Sequence, residues 1–242
     1  MNDTIALLTQ HRSIRKYTGE AISPEQLDAI LAAAQAASTS SFLQASSVVR
    51  VTDPQKRAAL VELTGGQKWV GEAAEFLVWC ADFHRHQQIA EGALLGYTEQ
   101  LLIGTVDTAL MAQNALVAAE SLGLGGVFIG GLRNHPEQVV ELLALPEQVV
   151  PLFGMCLGHP AQQPSLRPRL PRPLVVHENS YNTELDRQLL ADYDQQVKAY
   201  YQARAGANSK VMTWSEQITG ILKKEARPHI RDFLSQQGFN RK

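Results

Sequence analysis

The 242-residue sequence predicts a layered domain of the α+β or α/β class. Four short apolar segments have the composition of buried strands, and segments with helical apolar spacing separate them. The chain is long enough for one large domain or two small ones, with a substantial core in either case. The predicted strands are residues 46–52, 75–82, 125–131 and 151–157.

Capping signals mark the first helices. Residues 23–26, Ser-Pro-Glu-Gln, form a capping box with proline at the first helical position, which predicts an amphipathic helix over 24–37. Asp53-Pro54 starts another helix that ends at Leu63. A short helix over residues 4–10 precedes both. The first part of the chain is therefore predicted to alternate helix and strand.

The longest predicted helix covers residues 98–122, and apolar residues occupy most of its circumference. A surface helix has one apolar stripe, whereas a helix that is apolar nearly all round is buried. Gly123 supplies the left-handed residue that ends this helix. Asp107 interrupts its apolar run, so we expect no membrane-spanning segment.

The chain changes character at His159. A helix from Pro136 and the last strand precede this point, and five prolines fall within residues 160–176. So many prolines exclude a helix or a central strand. We therefore expect an extended arm, with Val175-Val176 as an edge strand beyond it.

The remaining residues contain three predicted helices. They cover residues 184–203, residues 214–226 after a second capping box, and the segment from Pro228 onward. These residues are too few to bury a good core of their own. We expect residues 1–159 to form the core, and residues 160–242 to wrap that core or a second subunit as part of the same domain.

Bulk properties indicate a soluble cytoplasmic protein. The formal net charge of −2 gives no basic face for nucleic acid. Cys80 and Cys156 each lie in an apolar run, which favours buried reduced thiols over a disulfide. The N-terminus lacks the basic start and apolar core of a secretion signal.

The polar and charged residues of interest are typical of ligand binding rather than of nucleophilic catalysis. The sequence contains no recognisable nucleophile motif and no cluster with metal-ligand spacing, so we expect no bound metal. It contains anion-binding clusters at 11–16 and 167–169, polar donors at 38–44 and Gln67, and a glycine-lined strand at 125–131. This combination is typical of an enzyme whose cofactor carries the reaction.

At this point a family resemblance becomes specific. It rests on the segments HRSIRKYT, STSSFLQASSVVRVTD, LTGGQK, VDTALMAQNALVAAESLGLGGVFIGGLRN, LFGMCLGHPA and PRLP. In order and spacing they resemble the NfsA-type oxygen-insensitive NADPH nitroreductases and the related flavin reductase P family. The resemblance implies an α+β fold and an intertwined homodimer with two FMN sites at its interface.

Carried over by position, the resemblance implies a set of FMN contacts. Relatives often have lysine where this chain has Arg167, which keeps the charge and changes the donor geometry. Thr39 stands where relatives can carry serine, and Phe128 where they can carry tyrosine. The Gly130 N–H is expected near the flavin N5. The implied contacts are His11, Arg12, Ser13, Arg15, Thr39, Ser41, Gln44, Gln67, Phe128, Ile129, Gly130, Gly131, Arg167 and Arg169.

The resemblance also implies sites for the two substrates. NADPH preference is assigned to Arg204 and Lys210, although the loop AGANSKV lacks the additional arginine of relatives and is about one residue longer. Solvated surface is the alternative for both cations. The implied contacts of the electron acceptor are Ser41, Phe42, Lys224 and Arg227.

The implied reaction is a ping-pong, two-electron reduction of nitroaromatics or quinones, in which hydride passes from NADPH to the flavin and then to the acceptor. No side chain is expected to act as a base. Two alternatives stay open: an NADPH-flavin reductase that supplies reduced FMN to a partner monooxygenase, and a non-catalytic flavin-binding redox sensor. The sensor would be expected to lack the clamp or to carry a bulky residue in place of Gly130, and the sequence has neither feature.

Overall fold

The computed structural model describes residues 2–204 and 211–242. Its strands are β1 (Ser46–Arg50), β2 (Glu75–Asp82), β3 (Gly125–Ile129) and β4 (Val149–Gly158). Its helices are α1 (Asp3–Thr9), α2 (Pro24–Gln35), α3 (Pro54–Leu63), α4 (Trp69–Glu72), α5 (His84–Ile89), α6 (Thr98–Ser121), α7 (Pro136–Leu143), α8 (Arg187–Arg204), α9 (Trp214–Leu222) and α10 (Ile230–Gln236). Three short 3-10 helices span Ser40–Phe42, Gly130–Asn134 and Arg172–Leu174.

The four strands form one sheet in the order β1-β2-β4-β3, and every neighbouring pair is antiparallel. The antiparallel pairing confirms the α+β alternative over α/β. β2 lies between two strands and all eight of its residues are buried, as its unbroken apolar run predicts. β1 and β3 form the two opposite edges.

Helices cover both faces of the sheet. Side chains alternate along a strand, so Leu77 and Trp79 of β2 pack with α2 and α6, whereas Phe76 and Val78 pack with α3 and α7. Both cysteines are buried and unpaired, and burial raises the pKa of each thiol to about 12. They are therefore neutral thiols at physiological pH.

The predicted capping signals are confirmed. Ser23 and Gln26 form a reciprocal capping box at α2, and the Asp53 side chain accepts from the first turn of α3. Gly123 follows α6 with φ +80°. These short-range signals fix the helix starts because each satisfies backbone groups within a few residues of itself.

The surroundings of α6 differ from the prediction. One face carries Ala112, Ala115 and Leu116 into the core, but the opposite face leaves Leu102 and Val106 more than half exposed, at 55% and 53%. Complete burial is therefore wrong within one chain. By length and composition α6 also passes as a candidate membrane span, a weak signal that the core helix of a soluble protein shares.

The contacts divide the chain into two compact units. One contains the described residues up to Pro164 together with Arg227–Lys242, and the other is Ser165–Ala226. Within the second unit α8 and α9 pack together, with the Tyr193 and Trp214 rings 5.9 Å apart, and Ser215 N donates to Asp194 Oδ1 at 2.9 Å.

Several predicted bounds in the C-terminal part are wrong. Val175 and Val176 form no edge strand; they follow a short 3-10 helix and are 58% and 62% exposed. α8 begins at Arg187 rather than at residue 184, and α9 ends at Leu222 rather than near 226. The last helix begins at Ile230, two residues after Pro228.

Candidate functional site

The predicted anion clamp, residues 11–16, runs beside β3. The Ile14 N–H donates to the Gly126 carbonyl at 2.9 Å. The Ile14 side chain is buried and packs against Gly125, where an added Cβ would lie 3.0 Å from the Ile14 Cβ. The backbone and the side chain of Ile14 therefore hold this segment against β3.

Each basic side chain of the clamp has a different environment. His11 Nδ1 lies 2.5 Å from Glu120 Oε1 on α6, and the Arg15 guanidinium lies over the Trp69 ring at 5.9 Å. The Arg12 terminal nitrogens donate to the Gln10 backbone and side chain. The Arg12 Nε is buried and has no hydrogen-bond partner in the described structure, so a bound acceptor there would remove a cost of about 1–3 kcal/mol.

Gln67 lies against Gly131. Two glycines with positive φ, Gly65 at 85° and Gly66 at 75°, turn the chain after α3 and lead to Gln67. The Gln67 Nε2 donates to the Thr64 carbonyl at 2.8 Å. A Cβ on Gly131 would lie 2.5 Å from that Nε2 and 2.7 Å from the Thr64 oxygen, so the backbone approach at this point requires glycine.

The end of β3 presents a flat surface beside this contact. Val127 and Ile129 are buried, at 4% and 1%, whereas Phe128 between them is 39% exposed and packs edge-on against Phe153 at 5.4 Å. Gly130 and Gly131 follow without side chains. An exposed aromatic ring followed by bare backbone suits a planar ligand.

Two arginines lie near the same end of β3. The Arg227 Nε and Nη2 both donate to Asn134 Oδ1, at 3.0 and 2.9 Å. Arg133 donates to the Leu152 carbonyl, and burial, followed by the charge of Arg227, lowers the Arg133 pKa below its ordinary value. The paired cations make this end of the sheet favourable for an anionic or nitro group.

The polar loop at 38–44 lies elsewhere. Its residues Ser41, Phe42 and Gln44 have left-handed backbone, with φ of 48°, 56° and 55°, an arrangement that costs about 1–3 kcal/mol per residue. Phe42 is 81% exposed. Thr39 Oγ1 accepts from the Gln44 N–H at 3.3 Å, and the loop borders a cavity of about 580 Å³ that also contains Arg85 and His86.

The loop and the end of β3 are at opposite edges of the sheet. The loop leads into β1, whereas Phe128 and Gly130 belong to β3 and the turn after it. Three inter-strand spacings separate these edges, a distance of roughly 14 Å. The described residues that line the loop cavity include none from 124–134. Within one chain the predicted site residues therefore form two groups that lie apart from each other.

The second unit carries the other predicted cations. Arg167 lies over the Tyr201 ring at 5.6 Å, and Arg204 lies over the Tyr200 ring at 5.2 Å with its Nη1 donating to the Tyr200 hydroxyl. Arg169 and Lys224 are exposed. Lys210 lies outside the described residues.

The residues of the first unit fit FMN. Ser13 and Arg15 provide a hydroxyl and a cation for a phosphate, the buried Arg12 Nε provides an unused donor, and the exposed Phe128 ring with the partly exposed Gly130 backbone offers a surface to a flat ring. Residues 2–204 and 211–242 contain no group of three histidine, cysteine or acidic residues placed to hold a metal ion.

The residues that position His11 and the loop at 38–44 were not predicted from the sequence. Glu120 contacts His11, Asp107 accepts from Ser40, and Arg85 and His86 contact loop carbonyls. The signal for Asp107 was available, because an acid in the middle of an apolar helix must be paired or hydrogen-bonded if it is buried. The other three had no sequence signal, since their partners are 39 or more residues away.

Known proteins share sequence and fold with this chain over its whole length. Residues 8–159 match the nitroreductase family and residues 167–242 match the nitroreductase family C-terminal domain. The chain is 59% identical over 239 residues to an oxygen-insensitive NADPH nitroreductase of Salmonella typhimurium, covering 99% of both chains. It is 53% identical over 239 residues to an NADPH-flavin oxidoreductase of Vibrio harveyi, again covering 99% of both. The solved structure of NADPH:FMN oxidoreductase from Vibrio harveyi complexed with NAD+ matches with a TM-score of 0.93 and 51% identity over 100% of both chains.

Proposed function

The chain belongs to the nitroreductase family, and from this we propose that it is an FMN-dependent NADPH oxidoreductase that reduces nitroaromatics and quinones by two electrons in a ping-pong sequence. The observation that carries the proposal is the close contact of Gln67 with Gly131 at the end of β3, together with Arg15 over the ring of Trp69, two residues after Gln67. The exposed Phe128 ring precedes this contact in the chain. Full-length relatives named as NADPH nitroreductase and NADPH-flavin oxidoreductase support it.

The chain's residues divide the work of binding. Ser13 and Arg15 would hold the FMN phosphate, and Phe128–Gly131 with Gln67 would line the ring. Arg167 and Arg169 are proposed for the phosphate on the basis of the resemblance alone. Bound FMN would supply two-electron hydride chemistry between NADPH and the acceptor. Backbone N–H groups beside the ring would stabilise negative charge that develops there, so no side chain need act as a base.

We propose that each site is completed by a second copy of the chain. Thr39, Ser41 and Gln44 are predicted ring contacts, yet they lie at the sheet edge opposite Phe128. The exposed stripe of α6, Leu102, Val106 and Leu110, supplies apolar surface for a homodimer. Two copies would then form two sites, each with the clamp of one protomer and the loop of its partner.

A heterodimer tests this arrangement. One chain carries Arg15→Ala with Arg169→Ala, and the other, with a different affinity tag, carries Thr39→Ala with Gln44→Ala. If the sites are shared, only one of the two sites in this heterodimer binds FMN, and that site combines the intact clamp of the second chain with the intact loop of the first. Its turnover per bound FMN should therefore equal that of the wild-type protein. Turnover as low as that of the homodimeric loop variant would contradict the shared site.

The second unit is assigned to NADPH. Arg204 is exposed on α8, where its guanidinium is available to the 2′-phosphate, and we propose that it favours NADPH over NADH. Lys210 is proposed for the same role on the basis of the resemblance alone. Lys224 and Arg227, with Ser41 and Phe42, are proposed to contact the acceptor.

We propose that the chain acts as one soluble cytoplasmic domain, with residues 1–159 as the FMN-binding core and 160–242 as an extension that wraps the core or the partner subunit. The family matches, which cover 8–159 and 167–242, support a division near residue 160. The apolar stripe of α6 is used by the homodimer in this account, so no membrane is required.

The second candidate is an NADPH-flavin reductase that supplies reduced FMN to a monooxygenase, favoured by the relative named NADPH-flavin oxidoreductase. The test compares NADPH oxidation with a nitrofuran, a quinone and free FMN as acceptors. We expect kcat/KM to be higher for the nitrofuran and the quinone than for free FMN. The opposite order would favour the second candidate, and no NADPH oxidation with any acceptor would contradict both.

A further inference from the structure

Asp107 is a buried acid in the apolar helix α6, with 1% of its surface exposed. Both of its carboxylate oxygens accept from the Ser40 N–H, at 3.0 and 3.1 Å, and Oδ1 also accepts from the Ser40 hydroxyl at 2.9 Å. None of the described lysines, arginines or histidines forms an ion pair with it. The hydrogen bonds from Ser40 therefore offset the cost of burying the Asp107 carboxylate.

Ser40 opens the most strained segment of the loop. Ser41, Phe42 and Gln44 follow it in left-handed backbone, which non-glycine residues keep only where the surroundings determine it. The bonds from Asp107 hold the start of this segment. Its end is held from α5, since Arg85 Nη2 donates to the Gln44 carbonyl at 3.4 Å and His86 Nε2 lies 2.6 Å from the Leu43 carbonyl.

The same segment carries the side chains assigned to the acceptor face. Phe42 is 81% exposed and Ser41 is also exposed, so neither packs firmly enough to fix its own position. Their orientation depends on backbone that Asp107 anchors from beneath. None of residues 128–131 lines the cavity that the loop borders, so loosening the loop need not disturb the clamp or β3.

We propose that Asp107 is a positioning residue that fixes loop 40–44 and thereby sets turnover and discrimination among electron acceptors, whereas the rate at which NADPH reduces the bound flavin does not depend on it. The inference rests on the proposed function, because the loop faces an acceptor only in that account. Asp107 touches Ser40 and no reacting atom. We therefore expect a substitution of Asp107 to slow the second half-reaction, in which the acceptor is reduced.

The first test is independent of activity. Hydrogen exchange by mass spectrometry on the FMN-free protein measures a peptide covering residues 38–45 in the wild type and in Asp107→Ala. Loss of the acceptor should remove protection at the Ser40 amide, whereas Asn114→Ala, which removes an exposed tether of α6 to the Ala33 carbonyl, should leave this peptide unchanged. Unchanged exchange at 38–45 in Asp107→Ala would overturn the proposal.

The second test separates the half-reactions of the FMN-loaded protein. In Asp107→Ala, kcat/KM for a nitrofuran should fall about ten- to a hundredfold, while the rate of anaerobic flavin reduction by NADPH stays at the wild-type value. Asp107→Asn keeps an acceptor oxygen for Ser40 and should restore most of the loss. Equal losses in both half-reactions, or no rescue by asparagine, would overturn the proposal.

Two further controls keep the outcomes distinct. If Asp107→Ala does not fold, Ser40→Ala removes only the bond from the hydroxyl and should give the same pattern at smaller size; a wild-type profile for this variant would then overturn the proposal. If the wild-type protein oxidises no NADPH, the proposed function fails, and the hydrogen-exchange result still decides whether Asp107 anchors the loop.

Discussion

Replacing Arg15 and Arg169 with alanine is expected to release FMN from the protein. In the proposed clamp each cation would donate a charge-assisted hydrogen bond to the phosphate, worth about 1.5–3 kcal/mol. Losing both should weaken FMN binding by about 10²–10⁴-fold. Titration of FMN-free protein with FMN, followed by flavin fluorescence at fixed ionic strength, measures the change.

The matched control removes two positive charges from neighbouring positions. Lys16 and Arg172 are both exposed, and neither is assigned to FMN. Lys16→Ala with Arg172→Ala should therefore bind FMN within a few-fold of the wild-type protein. If the Arg15/Arg169 variant purifies with stoichiometric FMN, the phosphate clamp is assigned to the wrong residues.

Alanine substitutions at the adjacent Gly131 and Gly130 are expected to have different effects, and the large loss of stability is expected at Gly131. A Cβ on Gly131 would meet the Thr64 carbonyl at 2.7 Å, and that oxygen belongs to buried backbone that cannot move aside. Overpacking of this kind costs about 1–3 kcal/mol, so we expect the Tm of FMN-free Gly131→Ala to fall by roughly 2–12 °C. Thermal unfolding followed by circular dichroism measures the shift.

Gly130→Ala should leave stability nearly unchanged and weaken FMN binding instead. Its added Cβ would lie 3.2 Å from an Arg133 side-chain nitrogen, which can shift, so Tm should stay within about 2 °C of the wild-type value. The methyl group would hold the backbone away from the flavin ring. Unchanged FMN affinity and turnover in Gly130→Ala would contradict the close approach assigned to that residue.

Much of the secondary structure could be predicted from the sequence because its signals are local. The apolar run 75–82 coincides with β2, and the capping residues Ser23 and Asp53 mark the starts of α2 and α3. α4 and α5 were missed because neither has a side-chain cap and each is six residues or shorter. Val175 and Val176 have strand propensity, but propensity supplies no partner strand.

The candidate site was less predictable because it depends on strand order. The family resemblance identified Thr39 and Phe128 as contacts of one flavin, but only the order β1-β2-β4-β3 places them at opposite edges. The partner of Asp107 is 67 residues away in sequence, and the partner of His11 is 109 residues away. Long-range pairings of this kind have no periodicity that a sequence pattern could reveal.

This chain is proposed to bind FMN and to transfer electrons from NADPH to the bound flavin. The most direct measurement is the visible spectrum of the purified protein under anaerobic conditions, before and after one equivalent of NADPH. We expect a yellow protein with one FMN per chain whose absorbance bleaches at once. A yellow protein that stays yellow would contradict the NADPH assignment to Arg204 and Lys210, and a colourless protein that cannot be reconstituted with FMN would contradict the whole account.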